Sequence, residues 1–107
     1  MFEVTSAEQF NAVLRKYPRV VVMFTALWCG PCRLIKPEFE DLSTDSDYRN
    51  VTFLSIDVDA KPGLAHNAGI TSVPTFQTYR DGQKMDDLLG ANPEALRRMV
   101  RKLAATF

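Results

Sequence analysis

Apolar residues recur at helical spacing in three stretches of this chain and run unbroken, or nearly so, in two others. Phe10, Val13, Leu14 and Tyr17 fall at i, i+3, i+4 and i+7 behind Ser6-Ala7-Glu8-Gln9. In that spacing Ser6 caps the first free N–H groups and Gln9 reaches back, which predicts an amphipathic helix ended by Pro18. Ahead of it, Glu3-Val4-Thr5 can form a short first strand. Val20 to Phe24 is continuously apolar, the pattern of a strand covered on both faces, hence central and parallel. Ile35, Phe39 and Leu42 then return to helical spacing within Arg33 to Leu42, and Ser43 to Asn50 reads as a polar loop.

Val51 to Val58 is a second mostly apolar strand, finishing in Asp57 and Asp59. Pro62-Gly63 punctuates the next connection, leaving Leu64 to Ala68 room for at most two helical turns before Gly69. Thr75 to Arg80 and Lys84 to Leu89 flank Asp81-Gly82, a strong short hairpin signal, so these strands are antiparallel. Asn92-Pro93-Glu94 supplies an N-cap, a first-turn proline and an acidic first turn. Leu96, Met99, Val100 and Leu103 complete the last amphipathic helix. Strands alternating with helices and ending in a hairpin and a helix predict an α/β sandwich with a mixed sheet covered on both faces.

Composition narrows the function. The 107 residues form a single domain, 1–107, with one core. Thirteen basic and thirteen acidic side chains cancel without a block of either sign, so no nucleic acid and no anionic membrane is expected as a partner. The start, Met1-Phe2-Glu3-Val4, lacks the pattern of a signal peptide, and no stretch approaches the ~20 apolar residues of a membrane span. The expectation is a soluble, cytoplasmic protein whose partners are proteins.

The chemistry is concentrated in Trp28-Cys29-Gly30-Pro31-Cys32, which holds both cysteines and the one tryptophan. It lies where the apolar strand turns into a helix, the place of a redox dithiol. As a staple the pair would be poor, because a loop this short contributes roughly 2 kcal/mol against nearly 5 for a loop of about a hundred residues. A zinc site is disfavoured, since only His66 and carboxylates remain to complete it. Asp57 and Asp59 read as a hydrated turn, His66 as part of a solvated helix face, and the four methionines as core filler. Arg97, Arg98, Arg101 and Lys102 form a basic helix face, solvated or docking an acidic partner.

The five-residue motif after an apolar strand, then Val73-Pro74-Thr75-Phe76, the Asp81-Gly82 hairpin and the Gly90-Ala91 step, together resemble a thioredoxin from about Val4 to about Leu103. The resemblance implies a thioredoxin fold, a central mixed five-stranded sheet flanked on both faces by four helices. It implies a general protein-disulfide reductase in which Cys29 attacks a substrate disulfide and Cys32 resolves the mixed disulfide. Cys29 precedes a helix, where free N–H groups favour a thiolate. Lowering a thiol's pKa also softens it as a nucleophile, so the net gain is small and positioning must supply the rest.

On the same resemblance Val73-Pro74 is a cis bond facing the dithiol, although X-Pro bonds are cis in only about 5–6% of cases. Trp28, Gly30, Pro31, Val73, Pro74, Gly90 and Ala91 form a docking groove for a substrate peptide added as a strand. No cofactor or metal is implied. The partners are disulfide-containing proteins and a thioredoxin reductase or small dithiol as electron donor, and the chain is expected to act as a monomer. The alternative is a binding module or redox-gated scaffold of the same fold with weak reductase activity.

One position departs from the family pattern. Thioredoxins commonly carry a buried aspartate where this chain has Met23, and that carboxylate is thought to relay the proton of the second cysteine. Lys36, one turn beyond Cys32, matches a lysine that often lies near that aspartate. Here it would act on Cys32 directly, as a third catalytic residue.

Overall fold

The computed structural model describes residues 1–107. Five strands form one sheet, β1 (Phe2–Glu3), β2 (Arg19–Thr25), β3 (Thr52–Asp57), β4 (Thr75–Arg80) and β5 (Gln83–Leu89), in the order β1-β3-β2-β4-β5. Four helices accompany them, α1 (Ala7–Lys16), α2 (Gly30–Thr44), α3 (Pro62–Asn67) and α4 (Pro93–Ala104). No helix is long and apolar enough to cross a membrane.

The unbroken apolar run of β2 is explained by its place at the centre of the sheet. It pairs with β3 in parallel and with β4 in antiparallel fashion, so the expectation of a parallel strand holds for one neighbour only. The sheet divides the one core expected from the chain's length into two, one on each face. Val21 and Met23 face α2 and α4, packing with Ile35, Phe39, Phe53, Phe76, Leu96 and Val100. Val20, Val22 and Phe24 face the other side, with Phe10, Val13, Leu54, Ile56 and Tyr79. Successive side chains of a strand point to opposite faces, which is why one run of residues feeds both cores.

Helix starts follow the sequence closely. Ser6 Oγ accepts from the Gln9 N–H at 3.0 Å, while Gln9 Oε1 accepts from the Thr5 N–H at 2.6 Å. The reciprocal bond thus reaches one residue beyond the cap. Asn92 Oδ1 accepts from the Ala95 N–H at 3.0 Å at the head of α4. Asp81 and Gly82 both have positive φ, 52° and 82°, as a tight hairpin turn demands.

Three expectations are adjusted. The first strand lies at Phe2–Glu3 rather than Glu3 to Thr5, because Thr5 joins the cap of α1. Tyr17 leaves the apolar face of α1: it is the C-cap, 38% exposed, with the Lys16 ammonium 5.4 Å from its ring. The polar stretch after Leu42 is partly helical. There α2 continues to Thr44, and a 3-10 turn at Ser46–Tyr48 is capped by Asp45, whose Oδ1 accepts from the Asp47 N–H at 2.8 Å. Polar side chains that bond to nearby backbone explain order in a segment with no apolar periodicity.

Candidate active site

The apolar central strand β2 delivers the chain to one end of the sheet, and Ala26, Leu27 and Trp28 turn it into α2. Cys29 is the N-cap of that helix, and Gly30, Pro31 and Cys32 form its first turn. Pro31 suits this turn, since its missing N–H would have had no partner there. The Cys29 Sγ accepts from the Cys32 N–H at 3.1 Å. The two cysteines are joined as a disulfide with Cα atoms 5.3 Å apart, and both are buried, 3% and 2% exposed.

The sulfur at position 29 therefore occupies the place that an aspartate or serine oxygen takes in an ordinary cap. It sits against the unpaired donors and the positive end of the α2 dipole, an arrangement that stabilises negative charge on sulfur when the disulfide is opened.

Around the dithiol lies an exposed apolar rim. Trp28 is 68% exposed, and its indole N–H donates to Asp59 Oδ2 at 2.7 Å. Arg33 Nη1 donates to the Leu27 carbonyl at 2.7 Å, tying the turn to α2. A Cβ added at Gly30 would meet nothing within 4 Å, so this glycine relieves no crowding inside the chain and leaves its surface open to a partner.

The Val73–Pro74 bond is cis. The Gly90 N–H donates to the Pro74 carbonyl at 2.9 Å, which brings the Gly90-Ala91 step beside the cis bond. Val73 and Ala91 pack against the same cluster of buried side chains that contains Cys29 and Cys32. The residues expected to form the groove are thus brought to one end of the sheet, although they are far apart in sequence.

Met23 lies in β2 with 2% exposure, in the same buried cluster as Cys32. Both line a cavity of about 130 Å³, and Lys36 borders it too. Asp57 lies on this cavity as well. It is more than part of a hydrated turn, although its Oδ1 does accept from the Asp59 and Ala60 N–H groups at 2.9 and 3.2 Å. Asp59 lies in the same turn, as read from the sequence, and is in addition the partner of Trp28. No sequence signal links these two, since they stand 31 positions apart and meet only because β3 ends beside the β2–α2 turn.

The basic face of α4 is largely satisfied within the chain. Arg97 pairs with Glu38 at 2.6 Å, Lys102 with Asp86 at 3.1 Å, and Arg98 with Glu94 at 3.6 Å. His66 is exposed on α3. Tyr79 lies in the core on the other face of the sheet. Burial, with Asp87 nearby, pushes its hydroxyl from 10.0 up to about 12.

The thioredoxin family model matches residues 1–102. A thioredoxin of Coprinus comatus is 41% identical over 102 residues, covering 95% of this chain and 96% of that one. An H-type thioredoxin of Chlamydomonas reinhardtii is 54% identical over 86 residues, 80% of this chain and 75% of that one. Among solved structures, the crystal structure of Malassezia sympodialis thioredoxin superposes with a TM-score of 0.92 at 36% identity, covering 97% of this chain and 93% of that one.

Proposed function

The chain belongs to the thioredoxin family and is a protein-disulfide reductase of that type, and we propose that Cys29 is its attacking thiolate and Cys32 the resolving thiol. The observation that carries this order is the hydrogen bond from the Cys32 N–H to Cys29 Sγ at the head of α2. A thiolate, not a thiol, attacks a disulfide, and the sulfur nearer the free N–H groups is the one favoured as an anion.

In the proposed cycle, Cys29 Sγ bonds to one sulfur of the substrate disulfide and the other leaves as a thiolate. Cys32 Sγ, deprotonated, then bonds to Cys29 Sγ and displaces the second substrate sulfur. The substrate disulfide gains two electrons and the Cys29–Cys32 dithiol loses them. Holding the second thiol within the same helical turn makes the closing step intramolecular, where the largest rate gain is available.

Trp28, Gly30, Pro31, Val73, Pro74, Gly90 and Ala91 form the docking groove in this reading. It is supported by the exposure of Trp28, the open space above Gly30 and the Gly90–Pro74 hydrogen bond. Lys36 acts on Cys32 from one turn further along α2. The partners are disulfide-containing proteins and a reductase, and the electron donor is a thioredoxin reductase or a small dithiol. One chain carries both cysteines and all segments of the groove, which favours a monomer acting as a single domain. A dithiol that must be recharged by reduction fits the cytoplasm, where thiols are kept reduced.

The test is reduction of a model protein disulfide by a small dithiol, with native chain, Cys29→Ser and Cys32→Ser. Turnover lost in both variants, with Cys32→Ser alone accumulating a mixed disulfide, supports the assignment. A mixed disulfide trapped on Cys32 in the Cys29→Ser variant, with none on Cys29, reverses the roles.

A further inference from the structure

Resolution of the mixed disulfide requires that Cys32 lose a proton, and the buried side chain beside it, Met23, cannot accept one. The sheet register shows where an acceptor stands. Met23 is level with Ser55 and Thr25 with Asp57 across the β2–β3 pairing. Residues two apart on a strand share a face, so Ser55 and Asp57 lie on the same side of the sheet as Met23, beneath α2. From α2, Cys32 and Lys36 stand at i and i+4 over the same spot.

These side chains together line the cavity of about 130 Å³. Its volume is several times what one water needs, and its lining is polar enough to hold water. Exposed Met1, Glu3, Leu27 and Arg33 border the same cavity and connect it to solvent.

We infer that Asp57, through water in this cavity, accepts the proton of Cys32 that a carboxylate at position 23 would otherwise take. This rests on the reading in which Cys29 attacks and Cys32 resolves. Asp57 is held for the task, because two backbone N–H groups fix its Oδ1 and leave Oδ2 free. Of the other charged groups on the cavity, Glu3 is the competing acceptor, but it sits exposed on a two-residue edge strand and makes no side-chain bond. Lys36 and Arg33 are cationic and favour the Cys32 thiolate once it forms. Asp59, close in sequence, is already committed to the Trp28 indole.

The step balances as follows. Cys32 Sγ–H gives its proton to water, and that water gives one to Asp57 Oδ2. The Cys32 thiolate bonds to Cys29 Sγ, and the Cys29–substrate bond breaks with its electron pair leaving on the substrate sulfur. That thiolate takes a proton from solvent, and Asp57 returns its own to solvent through the cavity mouth.

The experiment follows a bis-nitrophenyl disulfide by stopped flow, because one coloured thiolate is released on attack and a second on resolution. Cys32→Ser must give the first release without the second, and absence of the first release there would sink the underlying reading rather than this one. Asp57→Asn keeps the oxygen that accepts from Asp59 and Ala60, so the turn is preserved. In it the second release is expected to slow at least about tenfold at pH 7, and the deficit to shrink as pH rises and Cys32 ionises unaided. Met23→Asp in the Asp57→Asn background should restore the rate, whereas Glu3→Gln alone should change it less than about twofold. A second release within twofold of native from pH 6 to 9 in Asp57→Asn, or a deficit equal at every pH, overturns the proposal. If the double variant does not fold, the pH profile of Asp57→Asn, with Asp57→Glu retaining the native profile, decides alone.

Discussion

The heads of α2 and α4 are built alike. Each has a side chain that accepts the N–H three residues on, Cys29 at 3.1 Å and Asn92 at 3.0 Å, and each has a proline in the first turn. They differ in the accepting atom. The amide oxygen of Asn92 does the same thing in every redox state, whereas the sulfur of Cys29 is neutral in a disulfide and can become an anion when that bond opens. A helix start needs only an acceptor for its free donors, so the chemical identity of the acceptor is available for another use. The difference is increased by what lies in front of each cap. Asn92 faces solvent, while Cys29 is 3% exposed, next in sequence to the exposed Trp28 and in the buried cluster against which Val73 packs.

Cys29→Ser would break the comparison most sharply, since it turns the first cap into an ordinary one. Serine is among the preferred caps, so the melting temperature of the reduced variant should stay close to that of the reduced native chain. Turnover in the dithiol-coupled assay should fall by more than about 10³-fold. A variant that is instead strongly destabilised with partial activity would show that the sulfur is mainly structural.

Met23→Asp should be the next largest, because it puts a carboxyl at a position only 2% exposed, between the apolar core and the small cavity beneath Cys32, at a cost of about 3 kcal/mol in urea unfolding. It should also speed release of the second thiolate, by putting an acceptor directly under Cys32. Unchanged melting and unchanged resolution together would mean that Met23 does not occupy the position of the buried aspartate.

Asn92→Ala tests the inert cap. It should cost about 1 kcal/mol of stability and leave turnover as it was, measured by denaturant titration beside the same assay. The smallest effect should touch neither cap. The native state keeps the Tyr79 proton up to about 12, while the unfolded chain releases it near 10.0. Stability that is fully present below pH 10 should therefore decline as pH rises toward 12, equally in the oxidised and the reduced protein, and Tyr79→Phe should flatten that decline. A decline that depends on the redox state would assign it to the dithiol instead.

How much of this was legible before the structure depended on the range of the interaction involved. The caps at Ser6 and Asn92 and the Asp81-Gly82 turn are short-range events whose partners lie within four residues, and their residue types announce them. Buried faces were equally legible where the period was clean, as in Val20 to Phe24 and Leu96, Val100 and Leu103, all buried as the pattern requires. Tyr17 misled because it falls at the right interval but one residue past the last turn of α1, where the chain has already become extended.

The candidate site divides in the same way. The dithiol and its place at a strand-to-helix turn are contiguous in sequence, as is the capping geometry that favours charge on Cys29. The sheet order β1-β3-β2-β4-β5 is not, nor is the meeting of Gly90 with Pro74, of Trp28 with Asp59, or of Asp57 with the space beneath Cys32. Local backbone preference and hydrophobic period act over a few residues, so the sequence alone determined the elements, the caps and the redox motif. Which strand lies beside which depends on burying both faces of the sheet at once, so only the tertiary structure decided what stands around the dithiol.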